Sequence, residues 1–131
     1  MLTKNPSRQG PLIAHVDINM ADLVSGVASA VAMDIPPNAV IIQGSLITTE
    51  AWDSTTSDVL SVGDDTSANR YLADGDIRAL GAVVPLVPTG FISTGEGLKV
   101  TWTSGGGTPT TGQVRLMVMY YILGRAESTL G

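Results

Sequence analysis

The run Gln113-Val114-Arg115-Leu116-Met117-Val118-Met119-Tyr120-Tyr121-Ile122-Leu123 is apolar on both sides of a strand. Val114, Leu116, Val118, Tyr120 and Ile122 fall on one face. Gln113 and Arg115 begin the other face, and Met117, Met119, Tyr121 and Leu123 continue it. Successive strand residues point to opposite sides, and a strand at the surface of a free monomer carries polar residues on its outer side. The second face therefore needs a cover, supplied either by another part of the same sandwich or by another molecule. Met and Tyr are enriched at protein interfaces, so the reading favours an oligomer or docking surface. Met117, Met119, Tyr121 and Leu123 are the candidate interface residues.

Upstream, Leu98, Val100 and Trp102 alternate with Lys99, Thr101 and Thr103, the pattern of a half-buried strand. The small-residue segment Ser104 to Gly112 joins it to the apolar run, which predicts a hairpin with an oversized tip. Leu12 to Ile18 alternates as a strand, with Leu12, Ala14, Val16 and Ile18 against Ile13, His15 and Asp17. Asn19 to Gly26 is ambiguous, and Asp22 there would cap a short helix. Val27 to Ile35 reads as a strand with Val27, Val31, Met33 and Ile35 on one face and Ala28, Ala30, Ala32 and Asp34 on the other. Ile35-Pro36-Pro37-Asn38 is a turn, because neither proline can donate to a ladder.

Ala39 to Thr49 reads as a long strand with Val40, Ile42 and Leu46 on one face, Ile41 and Ile47 on the other, and Gly44 as a bulge or bend. Asp58 to Val62 is a short strand entering the turn Gly63-Asp64-Asp65. Asp74-Gly75-Asp76 reads as a further turn, or as the start of a helical turn. Ala82 to Val87 is a short strand ended by Pro88-Thr89-Gly90. Roughly eight strands at short spacing predict an all-β fold, an antiparallel β-sandwich or barrel, of which the jelly roll is one form. Residues 1–11, with Pro6, Arg8, Gly10 and Pro11, read as an extended N-terminal arm. Residues 12–124 form the sandwich domain, and 125–131 a polar tail. Pro6 and Arg8 join the candidate contact residues, since such arms often order only against a neighbour.

Composition narrows the function classes. The chain has 131 residues, of which 44% are apolar, enough for one core. Only 15% are charged, against a usual value of about 25%, so much of the surface is uncharged. A net charge of −5 with scattered Lys and Arg argues against nucleic acid as a partner. There is no cysteine, which removes disulfides and thiolate chemistry. Met1 to Pro6 lacks the apolar centre of a signal peptide, and no apolar run reaches the ~20 residues of a membrane helix. The expectation is a soluble chain made in a host cytoplasm, with no membrane partner.

Catalytic machinery is not legible. The one histidine, His15, sits on the outer side of its strand with no nucleophile motif or second histidine to complete a site. Asp53, Asp58, Asp64 and Asp65 could offer oxygens to calcium, but their spacing is not that of an EF-hand loop, and short-range turns use Asp in the same way. Nothing selects a glycosidase-type carboxylate pair. Trp52, Tyr71, Phe91 and Trp102 are dispersed like core fillers rather than sugar platforms. Gly105-Gly106-Gly107 lacks the Lys-Ser/Thr of a phosphate loop. The expectation is no enzyme, no catalytic residue, no cofactor and no metal.

Asp34-Ile35-Pro36-Pro37-Asn38-Ala39-Val40-Ile41-Ile42-Gln43-Gly44-Ser45-Leu46 resembles a strand opening of small virion proteins of tailed bacteriophages. Trp52-Asp53-Ser54-Thr55-Thr56-Ser57-Asp58-Val59-Leu60-Ser61-Val62-Gly63-Asp64 is similar to a second of their segments. Asn69-Arg70-Tyr71-Leu72 and Val100-Thr101-Trp102-Thr103 are similar as well. The likeness spans residues 27–123. The resemblance, to head decoration or cement proteins, implies a jelly roll that docks on the outer surface of the capsid as a homodimer or homotrimer. Such a protein bridges copies of the major capsid protein against the pressure of packaged DNA. The alternatives are another virion sandwich, such as a head-fibre base or tail-associated protein, and a carbohydrate-binding module.

Overall fold

The computed structural model describes residues 10–24, 29–54, 56–105 and 109–124. Among these residues are eight strands and one short helix: β1 (Leu12–Asn19), α1 (Met20–Val24), β2 (Ser29–Met33), β3 (Ala39–Glu50), β4 (Ser57–Gly63), β5 (Leu72–Asp76), β6 (Val83–Pro85), β7 (Leu98–Gly105) and β8 (Gln113–Ile122). They form two four-stranded sheets, ordered β1-β8-β3-β6 and β2-β7-β4-β5. Every strand pairing is antiparallel. An eight-stranded, two-sheet antiparallel sandwich whose chain repeatedly crosses between sheets is a jelly roll. The expected all-β sandwich of jelly-roll type is the observed fold. The N-terminal arm expected at 1–11 lies outside the described residues as far as residue 9, as does the polar tail at 125–131.

The core forms where the inner rows of the two sheets meet. Val114, Leu116 and Val118 of β8 face it, with Ile41 and Leu46 of β3 and Ile18 of β1. Leu60 and Val62 of β4 and Leu98 and Val100 of β7 close it from the second sheet. Leu46, Leu60 and Leu116 are fully buried, positions where truncation to Ala typically costs about 2–5 kcal/mol. The inner row predicted for the Gln113–Leu123 run is thus the core row at Val114, Leu116 and Val118, with Tyr120 and Ile122 packed against it.

Several local expectations are corrected. β7 and β8 do not form a hairpin: β7 pairs with β2 and β4, and β8 with β1 and β3. The linking segment crosses between the sheets and is fixed from outside, with Asp53 accepting hydrogen bonds from the Thr110 and Thr111 amides. Residues 106–108 of that segment lie outside the described residues. Asp74-Gly75-Asp76 is neither turn nor helix but the end of β5, with Gly75 opposite Leu60 and Asp76 opposite Val59. Asp74 takes a left-handed φ of 49°, so a turn-like residue sits inside a short edge strand.

Gly44 is not the bulge in β3. Its register opposite Val118 is regular, and the shifts fall between Ile41 and Gln43 and between Thr48 and Glu50. What Gly44 provides is close approach: a Cβ there would lie 2.6 Å from the Met117 carbonyl oxygen and 2.7 Å from Leu86 Cδ1. The bulge at Ile42 breaks the predicted face of Val40, Ile42 and Leu46, because an extra residue reverses the side to which later residues of the strand point. Ile41 and Leu46 consequently share the core, and Ile42 is exposed.

In β2 the alanine side faces inward. Ala30 and Ala32 pack on the core while Val31 is exposed, and a register shift between Val31 and Met33 returns Met33 to it. Val27 and Ala28 of that expected strand lie outside the described residues. In α1, Asp22 is not the cap residue itself. Its carboxylate reaches back to accept the Asn19 amide at 2.9 Å, the return half of a capping box.

Candidate assembly surface

The two sheets turn very different outer faces to solvent. On the second sheet the rows read Ser29–Thr101–Ser61, Val31–Lys99–Gly63 and Thr103–Val59–Asp76. Lys99 also lies 3.6 Å from Asp65. Apart from Val31, which is 56% exposed, this is the polar exterior expected of an antiparallel sheet packed on one side only.

On the first sheet the rows read Asp17–Arg115–Ile47–Val83, then His15–Met117–Ser45–Pro85, then Ile13–Met119–Gln43, with Tyr121 beside Val40 beyond them. Apart from the Asp17–Arg115 ion pair at 2.8 Å, these rows carry no opposed charges. Ile13 is 61% exposed and Val83 62% exposed, so at these positions no described part of the chain covers the face. Met117, Met119 and Tyr121 are half-buried by their cross-strand neighbours, and Leu123 is exposed just past the end of β8. Met117, Met119 and Tyr121 therefore succeed one another on a single outer row, and Leu123 follows just past the strand's end. Pro6 and Arg8 lie outside the described residues.

Sequence reading missed the partners of that row. Ile13 opposite Met119, Val83 opposite Ile47, and Ile92, brought beside Val40 by an isolated bridge, are exposed apolar residues, as is Ile42 at the bulge. Ile13 carried a signal, being an isoleucine in the outer register with His15 and Asp17. Ile42 carried none, since its exposure depends on the bulge.

Three of the carboxylates weighed above as calcium ligands, Asp53, Asp58 and Asp64, make hydrogen bonds within the fold. Asp58 is fully buried and accepts hydrogen bonds from Ser54 Oγ at 2.6 Å, the Ser54 amide at 3.3 Å and Trp102 Nε1 at 3.2 Å. Asp64 accepts from the Thr66 and Ser67 amides and from Arg70 Nε, the last at 2.5 Å. Burial pulls the Asp64 pKa upward, but the hydrogen bonds from Arg70, Thr66 and Ser67 and the Arg70 charge outweigh it and hold the carboxyl below its ordinary value. The Arg70 guanidinium in turn lies 3.6 Å over the centre of the Phe91 ring. Asp53 is held below its ordinary value by the Thr110 hydroxyl and then by the Thr111 and Thr110 amides. Each carboxylate ties a different turn to the sandwich. Among the described residues no three His, Asp or Glu side chains converge on a point that would hold a metal ion. Trp52 and Trp102 pack together inside, with ring centres 6.0 Å apart.

No family model matches the chain, and no curated protein matches it in sequence. Solved structures do. A chain of the cyanophage Pam1 capsid asymmetric unit superposes with a TM-score of 0.68 at 20% identity, over 93% of each chain. A chain of the acid-stable capsid structure of Helicobacter pylori bacteriophage KHP30 gives 0.67 at 12% identity, over 97% of this chain and 95% of that one. The capsid of Ralstonia phage GP4 gives 0.51 at 17% identity, over 89% and 86%. This chain shares its fold with chains found in phage capsids. Among the described residues no helix is long and apolar enough to cross a membrane.

Proposed function

We propose that this chain is a structural virion protein that decorates the outside of a bacteriophage capsid. The outer face of the β1-β8-β3-β6 sheet docks on the major capsid protein and bridges neighbouring copies of it. The observation that carries this reading is the asymmetry of the sandwich: one outer face polar apart from Val31, the other richer in apolar side chains and open at Ile13 and Val83. The shared fold with chains of phage capsids supports it. Burial of apolar area, at about 25 cal/mol per Å², supplies the driving force, and many copies around a shell multiply a modest individual affinity.

The functional chemistry is adhesive rather than catalytic. Low charge on the docking face limits the desolvation cost of closing it, since charged residues are depleted at interface centres. The test is co-sedimentation of the purified chain with capsids assembled without it. Saturable binding that is lost on Met119→Asp, with the far-UV spectrum unchanged, supports the reading. Full binding by that variant overturns the assigned face.

A further inference from the structure

Four strands form the sheet edges among the described residues: β1, β6, β2 and β5. An unpaired edge invites pairing with another chain, and proteins blunt edges with short strands, bulges, proline or charge. Three edges here are blunted. β6 has three residues and contains Pro85. β2 has five residues and a register shift after Val31. β5 has five residues, a left-handed Asp74 and a second carboxylate at Asp76.

β1 is unlike the others. It runs eight residues in unbroken register along β8, with no proline and no bulge, and its one carboxylate, Asp17, is paired with Arg115. Its outer side shows the exposed Ile13. Its inner side is also incompletely covered: Leu12, Ala14 and Val16 are only half-buried. A cavity of about 280 Å³ opens there between the two sheets, lined by Val16, Ile18, Leu23, Ala30 and Val100, with Asp17 and Asp22 also on its wall.

We propose that β1 pairs antiparallel with β1 of a second copy of this chain, joining two β1-β8-β3-β6 sheets into one continuous sheet. Inner residues must meet inner residues, so only registers in which paired residue numbers sum to an even value are allowed. The register that centres Val16 on its own copy uses β1 from Ile13 to Asn19. It sets Ala14 opposite Ile18 of the partner subunit, small against large, over the cavity. On the outer side it sets His15 opposite Asp17 of the partner subunit, twice by symmetry, and Asp17 is already held in place by Arg115 at 2.8 Å. Centring on His15 instead would oppose two histidines and set Ile13 against a carboxylate. These two are the longest registers that β1 (Leu12–Asn19) allows, and complementarity selects the one centred on Val16.

The pairing deepens the docking reading and rests on it for its purpose, because it makes the two apolar outer faces a single bivalent surface. Two linked sites raise apparent affinity without new contacts. The pairing itself is tested on the chain alone. The protein has no cysteine, so Val16→Cys introduces one thiol at the symmetry axis. Directly opposed antiparallel residues have Cα atoms about 4.5–5.5 Å apart, within the span of a disulfide.

Mild oxidation should convert most Val16→Cys chains to covalent dimers, while Ala73→Cys on the β5 edge stays uncoupled. The native chain should sediment as a dimer at about 50 μM, a concentration that populates micromolar complexes. His15→Asp, which opposes like charges, should weaken dimerisation at least about tenfold. His15 is exposed, so this variant keeps its fold and reads the pairing even if Val16→Cys does not fold. A native chain that sediments as a monomer, or an oligomer that ignores His15→Asp and leaves Val16→Cys unlinked, overturns the proposal. Capsid co-sedimentation is scored separately: a monomer that still binds capsids overturns the pairing and leaves the docking. A cross-linked dimer that does not bind them confirms the pairing and removes the docking.

Discussion

Ile13 of β1 and Met119 of β8 are direct cross-strand partners on the outer side of the first sheet. A β-branched side chain beside a flexible thioether is a pair found in cores, yet here Ile13 remains 61% exposed. The neighbouring row continues with Met117, flanked by His15 and Ser45. An apolar ridge of this kind gains free energy only when a second surface takes the place of water against it.

Met119→Asp places a charge in the middle of that ridge. Capsid binding should fall at least about thirtyfold, corresponding to the ~2 kcal/mol of a central interface residue. The side chain is only half-buried in the free chain, so the thermal midpoint should drop by no more than a few degrees. Isothermal titration against empty capsids, paired with a thermal melt, separates the two effects.

Asp58 is the fold's most exacting polar position. Its carboxylate satisfies Ser54 and the Trp102 indole while fully buried. Asp58→Ala removes the buried acceptor that Ser54 and the Trp102 indole share and should cost about 2–4 kcal/mol in urea unfolding. Asp58→Asn keeps one acceptor oxygen and should cost less. Equal losses for the two variants would assign the effect to volume instead of hydrogen bonding.

The sequence made β8 legible because ten residues run without Gly, Pro or Asp and stay in unbroken register along β1 for the strand's first eight residues. The strand count was legible for a related reason: Pro, Gly and Asp clusters separate the apolar runs. Sheet order was not. Adjacent strands such as β7 and β8 look like a hairpin locally, and only the meeting of inner rows distant in sequence sends them to opposite sheets. Ile42 was misplaced because a single extra residue inverts a face, and no residue type marks it. Asp74-Gly75-Asp76 reads as a turn because Asp and Gly tolerate left-handed φ, and Asp74 does adopt one inside its strand. Of the candidate site, the β8 row was visible, whereas Val83 and Ile92 belong to it through register alone.

Asp64 makes stability depend on pH below neutrality. Its folded pKa lies below the unfolded value, despite burial, because Arg70, Thr66 and Ser67 favour the carboxylate. That contribution is complete above the unfolded pKa and is lost as pH falls through the folded one. Urea midpoints should therefore decline from about pH 4 downward. Arg70→Ala should be less stable at pH 7, and its gap from the native chain should narrow at about pH 2–3. A gap that stays constant with pH would assign the Arg70 contribution to its packing on Phe91 alone.

Gly44→Ala tests close packing within the first sheet. The added Cβ would meet the Met117 carbonyl oxygen at 2.6 Å, a backbone atom that cannot rotate away. Separating β3 from β8 there should cost about 1–3 kcal/mol, seen as a lower urea midpoint with an unchanged slope. An unaltered midpoint would mean that the two strands part without strain.

The most direct test of the docking face is an electron cryomicroscopy reconstruction of capsids decorated with this chain. The expected map shows the sandwich on the capsid exterior with the β1-β8-β3-β6 sheet inward, and Met117, Met119 and Tyr121 against the major capsid protein. A map with the polar β2-β7-β4-β5 face on the shell, or with the chain inside it, would contradict the assignment.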